Sequence, residues 1–174
     1  MTDHPADDRR SPGRVARAAP ARPPYTVSAP DPADRDRWEE LYRAYADFYR
    51  EPLTDAQLDR VWSWVTDPGH DVKALLARDA TGRAVGLAHY RPYFRPLAAT
   101  VAGHLDDLFV EPAARGTGAV DALFEALRAV ARQRGWGKIR WITADDNHRA
   151  RSKYDQVAER TMWVVYDMPV PTQE

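Results

Sequence analysis

The run from His104 to Val120, H-L-D-D-L-F-V-E-P-A-A-R-G-T-G-A-V, constrains this chain most. Leu105, Leu108, Phe109 and Val110 give its first half strand character, with Asp106 and Asp107 in the middle. Pro112 ends the strand, because proline has no N–H for a ladder. Arg115-Gly116-Thr117-Gly118 follows, and Ala119, Val120, Leu123, Phe124, Leu127, Val130 and Ala131 then recur at helical spacing. The unit is therefore strand, glycine turn, helix. The first N–H groups of a helix lack internal partners and sit at the positive end of its dipole. Glycines at that point let a phosphate reach the backbone. The run is an anion cradle suited to a nucleotide pyrophosphate. It is not a P-loop, which needs G-x-x-x-x-G-K-S/T. Nor is it a Rossmann fingerprint, because Asp121 stands where the third glycine belongs.

Val110-x-Pro112-x-x-Arg115-Gly116-x-Gly118 resembles the acetyl-CoA motif of the GNAT N-acetyltransferase superfamily, R/Q-x-x-G-x-G/A. Val120 departs from it, since the family normally has Gly or Ala there. A second segment agrees. Lys138 to Thr143 reads as a strand, and Asn147-x-x-Ala150-x-x-x-Tyr154 follows it at the spacing of similar acetyltransferases.

The resemblance implies a cofactor site formed by Leu108, Phe109, Val110, Arg115, Gly116, Thr117, Gly118, Ala119, Val120, Asp121, Asn147, Arg149, Ala150 and Tyr154. It implies pyrophosphate on the turn amides and the pantetheine end near Asn147. It makes Tyr154 the acid for the leaving thiolate, and puts acetyl-CoA as the donor cosubstrate. Leu105-Asp106-Asp107-Leu108-Phe109-Val110 resembles the L-E-D-L-Y-V strand of diamine acetyltransferases, in which the first acid handles the amine; Asp106 takes that place. Adjacent strand residues point to opposite faces, so only one of Asp106 and Asp107 is expected to serve the cleft. Tyr45 and Tyr49 on the first helix, and Tyr90 on the third strand, join both acids as candidate substrate contacts.

The rest of the chain is read from pattern. Met1 to Pro24 is rich in Pro, Ala and Arg without periodicity and is expected to be a disordered tail, leaving residues 25–174 as one domain. Strands are expected at Tyr25–Ser28, Val72–Arg78, Val85–Phe94, Ala102–Val110, Lys138–Thr143 and Thr161–Met168. Asp31-Pro32 and the Thr54–Gln57 capping box open two helices, the first carrying Trp38, Leu41, Tyr42, Tyr45, Phe48 and Tyr49. The Gly-Phe pair that follows this tyrosine in many relatives is replaced by Ala158-Glu159. This order predicts an α/β domain with a mixed, mostly antiparallel sheet flanked by helices. The resemblance adds that the fourth and fifth strands splay apart.

A net charge of −1 gives no global signal for nucleic acid. The absence of cysteine excludes disulfides and a thiolate nucleophile, and fits a cytoplasmic setting. No apolar run reaches membrane-spanning length, and no ligand spacing suggests a metal. The expected activity is acetyl transfer from acetyl-CoA to a primary amine of a small molecule, by direct attack in a ternary complex. A protein lysine or N-terminal acetyltransferase is the alternative within the class. A catalytically silent CoA-binding module is the alternative outside it. A homodimer is compatible with the sequence.

Overall fold

The computed structural model describes residues 24–171. The tail read over Met1–Pro24 lies outside this range except for Pro24. The elements are β1 (Thr26–Ser28), α1 (Arg35–Tyr49), α2 (Asp55–Thr66), β2 (Lys73–Arg78), β3 (Ala84–Arg95), β4 (Thr100–Val110), α3 (Ala119–Gln133), β5 (Ile139–Arg140) and α4 (His148–Val157). The sheet has five strands in the order β1-β2-β3-β4-β5. The first four are antiparallel and β5 runs parallel to β4. This is the predicted mixed α/β sheet.

Local chemistry sets the boundaries. Asp31 caps a 3₁₀ turn over Pro32–Asp34 with a full capping box, and α1 continues from it. Thr54 and Gln57 form the expected box at α2. Pro92 pairs across to Gly103, beyond the point where β2 stops at Lys73 opposite Tyr90. Its missing N–H therefore leaves no β2 partner unmet. Gly135 takes φ 68° just past α3, and Trp136 N–H closes on the Ala131 carbonyl.

Each face of the sheet buries its own cluster. Trp38, Leu41, Leu58, Leu76, Leu87 and Phe109 pack beneath α1 and α2. Leu75, Val85, Tyr90, Leu105, Leu123, Leu127 and Trp136 pack beneath α3. Gly103 lets the Trp136 ring lie directly on β4, since a Cβ there would meet that ring at 2.7 Å.

The structure corrects two strand expectations. Lys138–Thr143 is in the ladder only at Ile139 and Arg140, opposite Gly103 and His104. Thr161–Met168 forms no strand; it runs exposed beyond α4. Because β5 leaves β4 after Arg140, the far half of β4 stands without a neighbour on that side, and this opens a notch.

Candidate active site

A cleft of about 390 Å³ fills the notch. Leu108, Phe109 and Val110 line it from β4; Arg115, Gly116, Gly118, Val120 and Asp121 from the turn and the first turn of α3; Asn147, Arg149, Ala150 and Tyr154 from α4; and Tyr45 and Tyr49 from α1. Residues nearly 110 positions apart in sequence thus meet in one groove, and most of the expected cofactor set is among them.

Gly116 and Gly118 hold φ of 80° and 101°, the left-handed region that side chains resist. A Cβ on either would touch nothing, so the cradle is open above them. No side chain caps α3 at Gly118, and the first helical bond runs from Ala122 N–H to the Gly118 carbonyl. The N–H groups of Ala119, Val120 and Asp121 precede it, free for an anion. Val120 both lines the cleft and packs on the α3 core. Its bulk is partly turned away from the cradle.

Some expected contacts have other work. The Thr117 hydroxyl donates to the Ala114 carbonyl at 2.7 Å and meets Tyr25 Oη at 2.5 Å, and Thr117 does not line the cleft. Ala119 is fully buried in the core. Arg115 Nε donates to the Val110 carbonyl at 2.9 Å, and its guanidinium lies 5.7 Å from the Phe109 ring centre. That arginine fixes the turn against β4. Asn147 Oδ1 caps α4 by accepting from Ala150 N–H at 3.3 Å. Lys153 is paired with Asp121 and Arg151 with Asp145, whereas Arg149 pairs with no acid among the described residues.

Tyr154 packs edge-on to Phe124 and Trp141, with ring centres 6.1 and 5.3 Å away. Burial, with Tyr49 nearby, pushes its phenol up to about 12. It therefore stays protonated and remains a hydrogen-bond donor.

The two adjacent acids correct the sequence reading. On β3, His89 and Arg91 share one face. Their β4 partners are Asp107 and His104, while Tyr90 pairs with Leu105. One extra residue, Asp106, is left in β4, and the register shifts there. This is a β-bulge, which re-aims side chains next to functional sites. Asp106 Oδ1 accepts from Arg91 Nε at 3.1 Å and lies 3.7 Å from His104 Nε2. Both acids thus point to the α1 face, not to opposite faces.

Their environments differ. Asp107 Oδ2 is 2.8 Å from His89 Nδ1, and Trp38 Nε1–H donates to His89 Nε2 at 2.9 Å. The tryptophan donor requires a lone pair on Nε2, so Nδ1 carries the hydrogen and donates to Asp107. Tyr45 and Tyr42 complete the shell. Burial raises the Asp107 carboxyl, but the His89, Tyr45 and Tyr42 hydrogen bonds outweigh it and hold the group below the usual carboxylate range. For Asp106 burial wins over Arg91 and His104, and its carboxyl is raised. Its Oδ2 is buried without a hydrogen-bond partner. Burial also lowers the His104 imidazole.

Tyr90, expected to touch substrate, does not belong here. It is buried on the α3 face, edge-on to Trp136. Asp106 and Asp107 do not line the cleft; they stand on β4 directly before Leu108, which does. Sequence reading missed His89, Tyr42, Arg91 and Arg140 as the groups around these two acids and His104. Strand alternation through Leu87, His89 and Arg91 carried the signal for two of them, as polar side chains on an otherwise apolar face. Among the described residues no group of three metal-ligating side chains assembles, and no helix is long and apolar enough to cross a membrane.

Comparison with known proteins agrees with this geometry. The model of the Acetyltransferase (GNAT) family matches residues 38–157. The chain is 30% identical to a D-amino-acid N-acetyltransferase, HPA3, of Saccharomyces cerevisiae over 141 residues, covering 80% of this chain and 88% of that one. It is 31% identical to an uncharacterized N-acetyltransferase, YhfO, of Bacillus subtilis over 135 residues, covering 76% and 89%. Its fold is like that of a ribosomal-protein-alanine N-acetyltransferase from Brucella melitensis biovar Abortus 2308, with TM-score 0.70 and 23% identity over 84% of this chain and 99% of that one. An aminoglycoside N-acetyltransferase, AAC(6')-Iy, in complex with CoA gives TM-score 0.70 at 17% identity, covering 87% and 98%. The family match and these relatives make the chain an acyltransferase. The chain belongs to the GNAT family of N-acetyltransferases.

Proposed function

We propose that this protein transfers the acetyl group of acetyl-CoA to the primary amine of a small molecule, by direct attack with both substrates bound. The observation that carries the reading is the buried, unpartnered Oδ2 of Asp106. It stands on the strand whose Leu108–Val110 segment lines the cleft. An unmet buried carboxylate oxygen is costly unless a ligand completes it, and an ammonium is the complement.

The residues present fit the donor. The open glycine turn and the free N–H groups of α3 suit a pyrophosphate, and Arg149 is available to a further phosphate. The unpaired edge of β4 suits a strand-like amide chain. Acetyl-CoA, when bound, supplies an acetyl group activated as a thioester.

The chain's own groups do the rest. Asp106 binds the ammonium and takes its proton, because an alkyl ammonium with pKa near ~10.4 is almost wholly protonated at neutral pH and cannot attack. The amine nitrogen then bonds to the acetyl carbon as the carbon–sulfur bond breaks. Along β4 alternate N–H groups face opposite edges, so one of Phe109 and Val110, not both, aims at the notch to polarise the carbonyl oxygen. Tyr154 donates a hydrogen bond to the departing sulfur. A phenol at about 12 stabilises a thiolate more readily than it yields its proton to one. For Tyr154→Phe we expect kcat and kcat/KM to fall together, by about 10²-fold. Binding of the acetyl donor should be unchanged, because the ring packing stays. An unchanged kcat would take Tyr154 out of the mechanism.

The charge pattern favours an acceptor that carries a carboxylate as well as an amine. Arg91 bonds Asp106 through Nε only, and Arg140 Nη1 bonds the Tyr93 hydroxyl at 3.1 Å without an acid partner among the described residues. Both lie near His104. A zwitterion would satisfy Asp106 and these arginines together, whereas a polyamine would meet two cations. The yeast relative is named for D-amino acids, which supports the same reading. Free amino acids of both hands, their carboxamides and a diamine should be compared by thiol release. Because a charged hydrogen bond contributes about 1.5–3 kcal/mol, free amino acids should exceed their carboxamides by tenfold or more in kcat/KM. Preference for the diamine would reject the carboxylate pocket.

A further inference from the structure

We propose that Tyr25 is a positioning residue for the acetyl donor, bracing the glycine turn through the Thr117 hydroxyl so that the turn amides are set for the pyrophosphate; the role rests on the reading of that turn as the pyrophosphate cradle.

An anion cradle carries a conflict. Its N–H groups must stay unspent for the ligand, yet a backbone without hydrogen bonds has little to hold its shape. Arg115 N–H closes on the Pro112 carbonyl at 3.3 Å, and Ala122 N–H closes on the Gly118 carbonyl at 3.0 Å. Between them, among the described residues, the N–H groups of Gly116, Thr117 and Gly118 donate to no backbone carbonyl. Both glycines stand at left-handed φ, and glycine reaches many other conformations as readily. Left to its backbone, the turn would sample several shapes, and each binding event would have to order it.

A side chain supplies the restraint. Thr117 sits between the two glycines and does not line the cleft. Its hydroxyl donates to the Ala114 carbonyl at 2.7 Å. A hydroxyl has one hydrogen to give. Toward Tyr25 Oη, 2.5 Å away, it therefore accepts, and Tyr25 is the donor. The clasp fixes the middle of the turn without using any of its amides.

Tyr25 is itself anchored. It directly precedes β1, whose Thr26, Val27 and Ser28 pair with Arg78, Ala77 and Leu76. Residues two apart on an extended chain share a face, and Tyr25 and Val27 both pack against the cluster beneath α3. The phenol thus reaches from the edge strand to the start of α3 on a fixed base. A tyrosine ring has few torsions, so holding its hydroxyl there costs little entropy. The bond is exposed to water and adds little to the stability of the fold. Its effect falls on the turn, which has little else to hold it.

Calorimetric titration with CoA should show Tyr25→Phe binding about three- to tenfold more weakly than wild type, the weight of one net hydrogen bond. Its circular dichroism should match wild type, and its melting temperature should be nearly unchanged. KM for acetyl-CoA should rise by the same factor with kcat unchanged, because the clasp touches no reacting atom. Acetyl-pantetheine has the thioester but no phosphate, and wild type and variant should use it equally. Thr117→Val should weaken CoA at least as much, and Thr117→Ser less than Thr117→Val. Adding Tyr25→Phe to Thr117→Val should change nothing further, since both remove one link. Equal CoA affinity of wild type and Tyr25→Phe overturns the proposal, as do additive effects of the two substitutions. An equal loss with acetyl-pantetheine also overturns it and makes Tyr25 a general packing residue. A wild-type chain that binds no CoA would reject the cradle itself, and the clasp with it.

Discussion

Asp106→Asn should lower kcat/KM by about 10²–10⁴-fold, the range for loss of a general base, while leaving the melting temperature unchanged or higher. The amide keeps the shape and can still accept from Arg91, but it can neither hold an ammonium by charge nor take its proton. Burial raises the Asp106 carboxyl above its ordinary 3.8, so the folded chain binds that proton more tightly than the unfolded chain. Stability from this group is then lost, not gained, as pH rises through the raised value. At neutral pH the buried charge is a cost that asparagine removes. The lost Arg91 pair offsets little, because that arginine is 42% exposed. In wild type, kcat/KM should fall as the pH drops through the raised value. The residual activity of the variant should lack that limb. A variant with normal kcat/KM would show that water or another group takes the proton.

Asp107→Asn should do the reverse. It should cost about 2 kcal/mol of stability, as expected when a buried, charge-assisted acceptor is lost. For a chain of this length that is about 4–8 °C in melting temperature. The hydrogen bonds from His89, Tyr45 and Tyr42 hold the folded carboxyl below the unfolded 3.8. This stabilisation is therefore present above 3.8 and lost as pH falls through the depressed folded value. The gap between wild type and variant should be constant at neutral pH and close below about 3.8. Thermal melts at pH 7 and pH 3 check both parts. An unchanged melting temperature at pH 7 would mean that the Trp38-His89-Asp107 relay does not brace the site. If its loss left stability intact but removed activity, Asp107 would be the acid that serves the amine.

The shared orientation of the two adjacent acids was not legible in the sequence. Strand alternation sends Asp106 and Asp107 to opposite faces, and only the pairing with β3 shows the extra residue that brings them together. Alternation puts His89 and Arg91 on one face of β3, but without a register nothing says which face of β3 looks toward α1. Tyr90 was misassigned for that reason. The cradle was legible because its chemistry is local: two glycines, an uncapped helix and a strand lie within a short run. The helix caps at Asp31 and Thr54 were readable on the same grounds. The short β5 and the unpaired Thr161–Met168 run were not, because a strand needs a neighbour and sequence pattern does not say where that neighbour comes from. The Ala158-Glu159 departure was the one sign that the chain takes another path after α4.

The account rests on coupled chemistry at Asp106 and the notch, and thiol release tests it most directly. The full chain mixed with acetyl-CoA should release free thiol only when a small primary amine is added, with one acetylated amine formed for each thiol. Thiol release that ignores the amine, or no release with amino acids, diamines or peptides, would contradict the account and leave a fold that holds a donor without transferring from it.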